Sequence, residues 1–296
     1  MINEIYFDLD QFRRGNSFRF PQNSLKTEEG DQYELEEWIG RGGNAAVYKC
    51  RNRSSDTEYA IKFLMPHNFR RSAIRRSTKR FIREIKLLKI VKSEHITSYY
   101  GNGRVKGTHN QNGKVSKIPF IVIELADRNL QDLMYDKPGP LGYEYYAGQF
   151  RGLAQALAAL HEHAIHRDIK PENILISGER WLLSDYGLCT FVNPKEEDIT
   201  GEGKNVGPKF WFSPEAHNRR LGSLDEINAS SDVFQLASIF WYVATGRHPC
   251  GIVTKNDWSG PAKLFDLLYH SLFHNCSKRP QNGEEFLSKL ESALAQ

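Results

Sequence analysis

The chain has 296 residues, 40% of them hydrophobic and 26% charged, with a formal net charge of +4 at pH 7. This composition excludes low-complexity and collagen-like chains and supplies enough apolar surface for one large domain or two modest ones. The small positive balance selects neither nucleic acid nor protein as a partner.

The chain opens on MINEIYFDLDQF, which carries acids where a signal peptide needs an apolar run. Residues 1–30 have no clear period. They form an N-terminal extension that is either disordered or packed through Phe12, Phe18 and Phe20 on the domain after it. From Tyr33 the pattern predicts short strands at 33–39, 46–51 and 58–64, then a basic amphipathic helix at about 73–91 with Phe81, Ile85, Leu88 and Val91 on one stripe. Strands at 96–100 and 118–125 are expected to flank the polar loop THNQNGKVSK. Beyond Asn129 the pattern turns helical: helices are predicted at 145–163, 231–245, 262–273 and 284–295, with short strands at 174–176 and 181–184. The most apolar stretch, 233–243, is too short to span a bilayer, so no membrane span is expected. Cys50, Cys189, Cys250 and Cys276 form no C-x-x-C pair, which argues against a zinc cage and fits thiols in a reducing, cytoplasmic setting.

Taken alone, the Gly-rich run IGRGGNAAVYKC (residues 39–50) is an ordinary hairpin turn or a phosphate cradle, and Ala45 stands where a G-x-G-x-x-G pattern has its third glycine. A lone Lys62 in AIK is a strand-edge charge, and a lone Glu84 is one more helix glutamate. Order gives these pieces meaning. HRDIKPENIL (166–175) sets an acid five positions before an amide, Ser184-Asp185-Tyr186-Gly187 opens a loop, and Ser213-Pro214-Glu215 closes it.

In that order the motifs resemble the eukaryotic-like protein kinase family, serine/threonine type, over about residues 33–294. The resemblance implies an α+β, bilobal fold: residues 1–30 an extension, 31–296 the kinase domain, a β-rich N-lobe of about 31–124 and a mostly helical C-lobe of about 128–296. It implies transfer of the γ-phosphate of ATP to Ser/Thr hydroxyls of a protein substrate, with autophosphorylation. Residue by residue, Lys62 binds the α- and β-phosphates and pairs with Glu84, while the backbone of Gly40, Gly42 and Ala45 covers the phosphates. Asn173 and Asp185 hold magnesium, with manganese as the alternative ion. Asp168 takes the proton of the substrate hydroxyl and Lys170 steadies the γ-phosphate. Val47, Ala60 and Leu175 sandwich the adenine, the backbone of Glu124 and Ala126 reads its edge beside the gatekeeper Ile123, and Asn129 reaches the ribose. Glu215 and Arg279 form a buried ion pair, Asp232 binds the HRD backbone, and Leu88, His166 and Tyr186 stack in a column.

Three places depart from the family pattern. Tyr186 replaces phenylalanine, so its hydroxyl needs a partner. Pro208 replaces a threonine that bridges to Asp168 and Lys170. The usual phosphosite falls at Lys204, leaving Tyr186, Thr190 and Thr200 as hydroxyls between Asp185 and Ser213, with Glu196, Glu197, Asp198 and Glu202 as fixed negative charges. The helix near 73–91 is dense in cations (Arg70, Arg71, Arg75, Arg76, Lys79, Arg80, Arg83, Lys86, Lys89, Lys92). They are either a solvated face or a docking surface for an acidic partner or nucleic acid. The competing readings are an ATP-binding pseudokinase scaffold and a small-molecule phosphotransferase. The full set Lys62, Glu84, Asp168, Asn173 and Asp185 argues against the first, and the SPE segment with Asp232 argues against the second.

Overall fold

The structure, a computed structural model, describes residues 2–6, 9–10, 13–14, 16–22, 24–42, 45–64, 71–192 and 210–295. The chain divides into two compact units, Met1–Leu88 with Ser98–Leu125, and Lys89–Thr97 with Ala126–Gln296.

The first unit carries β1 (Glu4–Tyr6), β2 (Leu9–Asp10), β3 (Arg13–Arg14), β4 (Ser17–Arg19), β5 (Leu25–Lys26), β6 (Gln32–Gly42), β7 (Ala45–Asn52), β8 (Glu58–Leu64), the helix α1 (Arg71–Ile90, whose last residues belong to the second unit), β9 (Tyr99–His109) and β10 (Val115–Ile123). Among the described residues, β2 and β3 pair with each other, and the other eight form one antiparallel sheet in the order β1-β4-β9-β10-β8-β7-β6-β5. Register divides its side chains between two faces. Ala46, Tyr48, Cys50, Ile61, Phe63, Phe120 and Val122 turn into a closed apolar core. Cross-strand partners share a face, so Val47↔Lys62, Lys49↔Ala60, Ile121↔Lys62 and Ile123↔Ala60 put Val47, Ala60, Lys62, Ile121 and Ile123 together on the other.

The N-terminal residues belong to this sheet. Phe18 and Phe20 are buried in its core, and the Tyr48 hydroxyl accepts the Tyr6 N–H at 2.6 Å. Burial pushes the Tyr48 phenol up to about 12. Phe12 lies outside the described residues. Farther along, the end of β5 comes close to β9 at Gly103, where a Cβ would sit 2.6 Å from the Phe120 ring and 2.8 Å from the Lys26 carbonyl. Only glycine admits that approach.

The hairpin β9–β10 differs from the expected strand-loop-strand. It starts at Tyr99 rather than Ile96 and takes in both ends of the polar stretch, pairing Thr108 with Val115. Alternation explains this: Val105 and His109 are buried while Arg104, Lys106 and Thr108 are exposed, so polar residues occupy the outer positions of a half-buried strand. Ile96 instead makes a single parallel bridge to Leu183 inside the second unit.

The second unit holds β11 (Arg128–Asn129), α2 (Leu130–Asp136), α3 (Tyr143–His161), β12 (Ala164–Ile165), β13 (Ile174–Ser177), β14 (Arg180–Leu183), β15 (Thr190–Phe191), α4 (Pro214–Arg220), α5 (Ala229–Thr245), α6 (Ala262–Ser271) and α7 (Gly283–Leu294). Its core is α5, which is buried almost all round through Val233, Leu236, Ile239, Phe240, Trp241 and Val243. The Phe150 ring of α3 stacks on Phe240 at 3.7 Å. α7 crosses α3 so closely that a Cβ on Gly283 would stand 2.5 Å from the Ala158 nitrogen. The short β11-β13-β14 sheet and the β12–β15 pair bracket residues 166–173 and 184–189. Among the described residues, no helix is long and apolar enough to cross a membrane.

Candidate active site

In the first unit, Lys62 Nζ lies 2.7 Å from Glu84 Oε1, with the two side chains 12% and 5% exposed. A lysine this buried needs a partner, because an unpaired charge out of water is costly. α1 supplies it through a stripe of Phe81, Glu84, Leu87 and Leu88, all buried. Ile85 is half-buried and Val91, though buried, lies past the helix end, while Arg83 and Leu87 join the buried side, so the buried face is rotated from the expected stripe and centres on the glutamate. Gly40 pairs with Val47 and Gly42 with Ala45, a hairpin whose connecting residues 43–44 lie outside those described. Ala45 pairs with Leu64 and is buried, so it serves as a strand residue. Glu124 is fixed by its N–H to the Ser98 carbonyl at 3.0 Å and by its carboxylate, which accepts the Ser98 hydroxyl at 3.0 Å.

In the second unit, Leu175 is half-buried opposite Asn129 and Leu182, and Ala126, also half-buried, is the unit's first residue after β10. Asn129 caps α2, its side-chain oxygen accepting the Asp132 N–H at 2.9 Å. The sequence pattern gave α2 no signal of its own.

The catalytic loop is tightly specified. Asp168 Oδ2 accepts from Lys170 Nζ at 3.0 Å and from Asn173 Nδ2 at 3.0 Å, and Asn173 Nδ2 also donates to the Asp168 carbonyl at 2.8 Å. One oxygen of Asp168, Oδ2, is thus held twice. Burial raises the Asp168 carboxyl pKa, Lys170 opposes the rise, and the negative charge of Asp185 adds to it. Asp185 adopts a left-handed backbone (φ 60°). The Tyr186 hydroxyl finds its partner in the Leu183 carbonyl at 2.6 Å, and its ring lies 5.3 Å from His166. Leu88, expected in the same column, is a buried residue of the first unit.

Arg167 is also left-handed (φ 70°), at a cost of about 1–2 kcal/mol for a residue with a Cβ. Asp232, fully buried at the start of α5, accepts the N–H of His166 at 2.6 Å and of Arg167 at 2.8 Å and so fixes that turn. His161, which the sequence reading missed, completes the support. Its Nδ1 accepts the Gly283 N–H at 2.9 Å, so the proton is on Nε2 and donates to Asp232 at 3.0 Å. Gln235 accepts the Ile169 N–H at 3.1 Å. A histidine on an apolar helix carries no local signal for such a role.

Glu215 and Arg279 form a bidentate pair at 2.9 Å twice over, with Ser231 donating to the same carboxylate at 2.5 Å. Burial works against the Glu215 anion, but Arg279 and Ser231 overcome it and hold its pKa below the ordinary carboxylate value. Arg167 donates to the Thr190 hydroxyl. Pro208, Lys204, Thr200 and the acids Glu196, Glu197, Asp198 and Glu202 lie outside the described residues, as does Arg70. On α1, Arg75, Arg76, Lys86 and Lys89 are exposed, with Lys92 just beyond it, whereas Arg83 is buried and cannot belong to an outer basic face. All four cysteines are thiols, with Cys50 and Cys189 buried. Among the described residues no cluster of three His, Cys, Asp or Glu is placed to hold a metal.

A β-rich unit with a Lys–Glu pair and a helical unit with this catalytic loop define a protein kinase fold. Residues 33–293 match the protein kinase domain, and the chain belongs to that family. It is similar to the serine/threonine-protein kinase PknB of Mycobacterium tuberculosis, with 28% identity over 225 residues, covering 74% of this chain and 33% of that protein. It is equally similar to PknB of Mycolicibacterium smegmatis, at 28% over 225 residues and the same coverage. PknH of Mycobacterium bovis is 27% identical over 219 residues, covering 73% of this chain and 33% of that protein. The chain therefore spans about a third of the length of these relatives.

Proposed function

We propose that the chain is an active kinase that moves the γ-phosphate of ATP onto serine or threonine hydroxyls of protein substrates, itself included. The observation that carries this reading is the Asp168 carboxylate, with one oxygen locked by Lys170 and Asn173 and the other open. In the reaction, the substrate oxygen attacks the γ-phosphorus, the bond to the β-γ bridging oxygen breaks, ADP leaves, and the hydroxyl proton passes to Asp168. Lys170 offsets charge on the transferred group. Lys62, oriented by Glu84, binds the α- and β-phosphates. Val47, Ala60 and Leu175 bracket the adenine, read at its edge by the backbone of Glu124 and Ala126.

The donors fit magnesium, a hard cation that takes oxygen ligands: Asn173 and Asp185 would hold it through their side-chain oxygens. The repulsion between Asp168 and Asp185 is the kind a cation relieves. Such an ion supplies charge neutralisation at the phosphoryl oxygens. Lys170 supports Ser/Thr preference, as do the Ser/Thr kinases among the similar proteins. Unpaired cysteines support a cytoplasmic setting.

The test is incubation with labelled ATP and magnesium, then mass spectrometry of the phosphosites. Label on serine or threonine supports the reading. ATP binding without transfer supports the scaffold, and label on a small molecule alone supports the other phosphotransferase.

The exposed cations Arg75 and Arg76 support a second part of the proposal, an acidic protein partner along α1. Reversal of both to glutamate is expected to abolish capture of polyglutamate at low salt. Unchanged capture leaves a solvated face.

A further inference from the structure

The large sheet of the first unit treats its cations in two ways. On and beside β7 they are neutralised by glutamates of the neighbouring strands: Lys49 lies 2.7 Å from Glu58, Arg51 2.7 Å from Glu36, and Arg53 2.7 Å from Glu34. The β9–β10 hairpin is different. Residues 99–123 contain Arg104, Lys106, Lys114 and Lys117 and no acid. All four side chains are exposed, and among the described residues none of them pairs with a carboxylate.

Strand register gathers these residues on one face. Lys106 stands directly opposite Lys117, Arg104 opposite Pro119, and Thr108 opposite Val115. Cross-strand partners share a face, so Arg104, Lys106, Thr108, Val115 and Lys117 form one surface, about 14 Å long from Arg104 to Thr108. Lys114 adjoins it at the start of β10, and Val115 is 63% exposed in its midst. The next strand brings no free charge, because Arg19, opposite Thr108, lies 3.5 Å from Glu4. Like charges directly opposite each other lower the stability of a sheet. The hairpin keeps such a pair with no counter-charge, and an anionic partner would supply one.

We propose that this face of the hairpin docks on an anionic lipid surface, with the four cations on lipid phosphates and Val115 in the headgroup layer. Three features select a bilayer as the occupant. β9 is paired with β4 and β10, and β10 with β9 and β8, so neither strand offers a main-chain edge to an acidic peptide. Arg104, Lys106, Thr108, Val115, Lys117 and Pro119 include no aromatic ring on which a nucleobase could stack. An exposed valine among cations suits the boundary between lipid phosphates and acyl chains, where both kinds of side chain are satisfied. The contact is peripheral. It goes beyond the kinase reading and does not rest on it.

The test is co-sedimentation of the full chain, without ATP, with vesicles of phosphatidylcholine alone and of phosphatidylcholine mixed in equal parts with phosphatidylglycerol. Only the mixed vesicles are expected to carry the chain down. That binding should fall as the Debye length shrinks from about 10 Å at 0.1 M salt to about 3 Å at 1 M. Lys106→Ser together with Lys117→Ser is expected to weaken it about 25-fold, or about fivefold per cation removed. Arg75 and Arg76 stay in place throughout, so α1 contributes a constant background. Lys117→Glu is expected to weaken vesicle binding while raising the melting temperature, because it sets an acid opposite Lys106. Binding lost in a stabilised protein is not misfolding. Val115→Trp is expected to tighten binding to the mixed vesicles and leave heparin binding unchanged, since an aromatic ring gains from the headgroup layer. Equal sedimentation with both vesicles, or unchanged binding without Lys106 and Lys117, overturns the proposal. Duplex DNA that binds more tightly than the vesicles and loses the same factor in the double variant also overturns it, in favour of a nucleic acid. Asp168→Asn is expected to bind the vesicles as the wild type does, which separates failure of this face from failure of the kinase reading.

Discussion

Asp232 accepts the backbone N–H of Arg167 at 2.8 Å and thereby holds a non-glycine residue in the left-handed region directly before the proposed base. The carboxylate is fully buried, and His161 ties it to the first residue of α7. The position of Asp168 is thus set from α5 and α7, far away in sequence.

Asp168→Asn is expected to lower phosphoryl transfer by about 10²–10⁴-fold while leaving ATP affinity within a factor of about 3. It is not expected to lower the melting temperature, because burial disfavours the charged carboxylate that it removes. Retention of most of the wild-type rate would sink the assignment.

Lys62→Ala and Asp185→Ala are each expected to abolish transfer in folded protein, the first by removing a phosphate contact and the second a metal ligand. Glu84→Ala leaves Lys62 without its partner at 2.7 Å, a loss in the range of about 3–5 kcal/mol for a broken buried pair. Circular dichroism with ATP titration checks folding and binding together. Equal turnover of wild type and Asp185→Ala would point to another metal site.

The acid limb of the pH–rate profile is expected above the ordinary aspartate value of about 3.9, since burial raises the Asp168 pKa and the base must be ionised. Lys170 lowers that pKa, so Lys170→Met is expected to move the limb further toward neutrality. A limb that stays fixed in the variant would show that Lys170 does not act on Asp168.

Glu215 has a folded-state pKa below its unfolded value of about 4.3. A depressed carboxylate contributes stability that is fully present above the unfolded pKa and is lost as pH falls through the folded one. Arg279→Ala is expected to destabilise the protein by about 3–5 kcal/mol at neutral pH. Glu215→Gln is expected to flatten the acid side of the melting-temperature profile. Identical acid slopes in wild type and Glu215→Gln would refute the linkage.

Activity is expected to be independent of phosphate at Thr200. No hydroxyl stands at the usual position, Lys204, and Arg167 already donates to Thr190. Phosphatase-treated enzyme should keep its first-turnover rate. A large loss restored by preincubation with ATP would refute this.

The sequence by itself determined the family, the two-part α+β plan and the order of the motifs, because one fold places the same side chains in the same order along the chain. The Lys62–Glu84 and Glu215–Arg279 pairs were readable in this way, and both close to ion-pair distance. Most elements were also readable, since period 2 and period 3.6 are local signals.

Tertiary structure decided what local signals do not encode. The N-terminal residues look aperiodic, yet strands as short as Glu4–Tyr6 pair because the edge of β9, through β4, gives them a partner. Thr108, Ser116 and Lys117 of the polar stretch became strand because only one face of that hairpin is buried. His161 and Gly283 acquired a role through a helix crossing that brings positions 122 residues apart to 2.9 Å. A hydrogen bond depends on distance in space, and sequence spacing fixes that distance only within an element. Between elements, packing sets it.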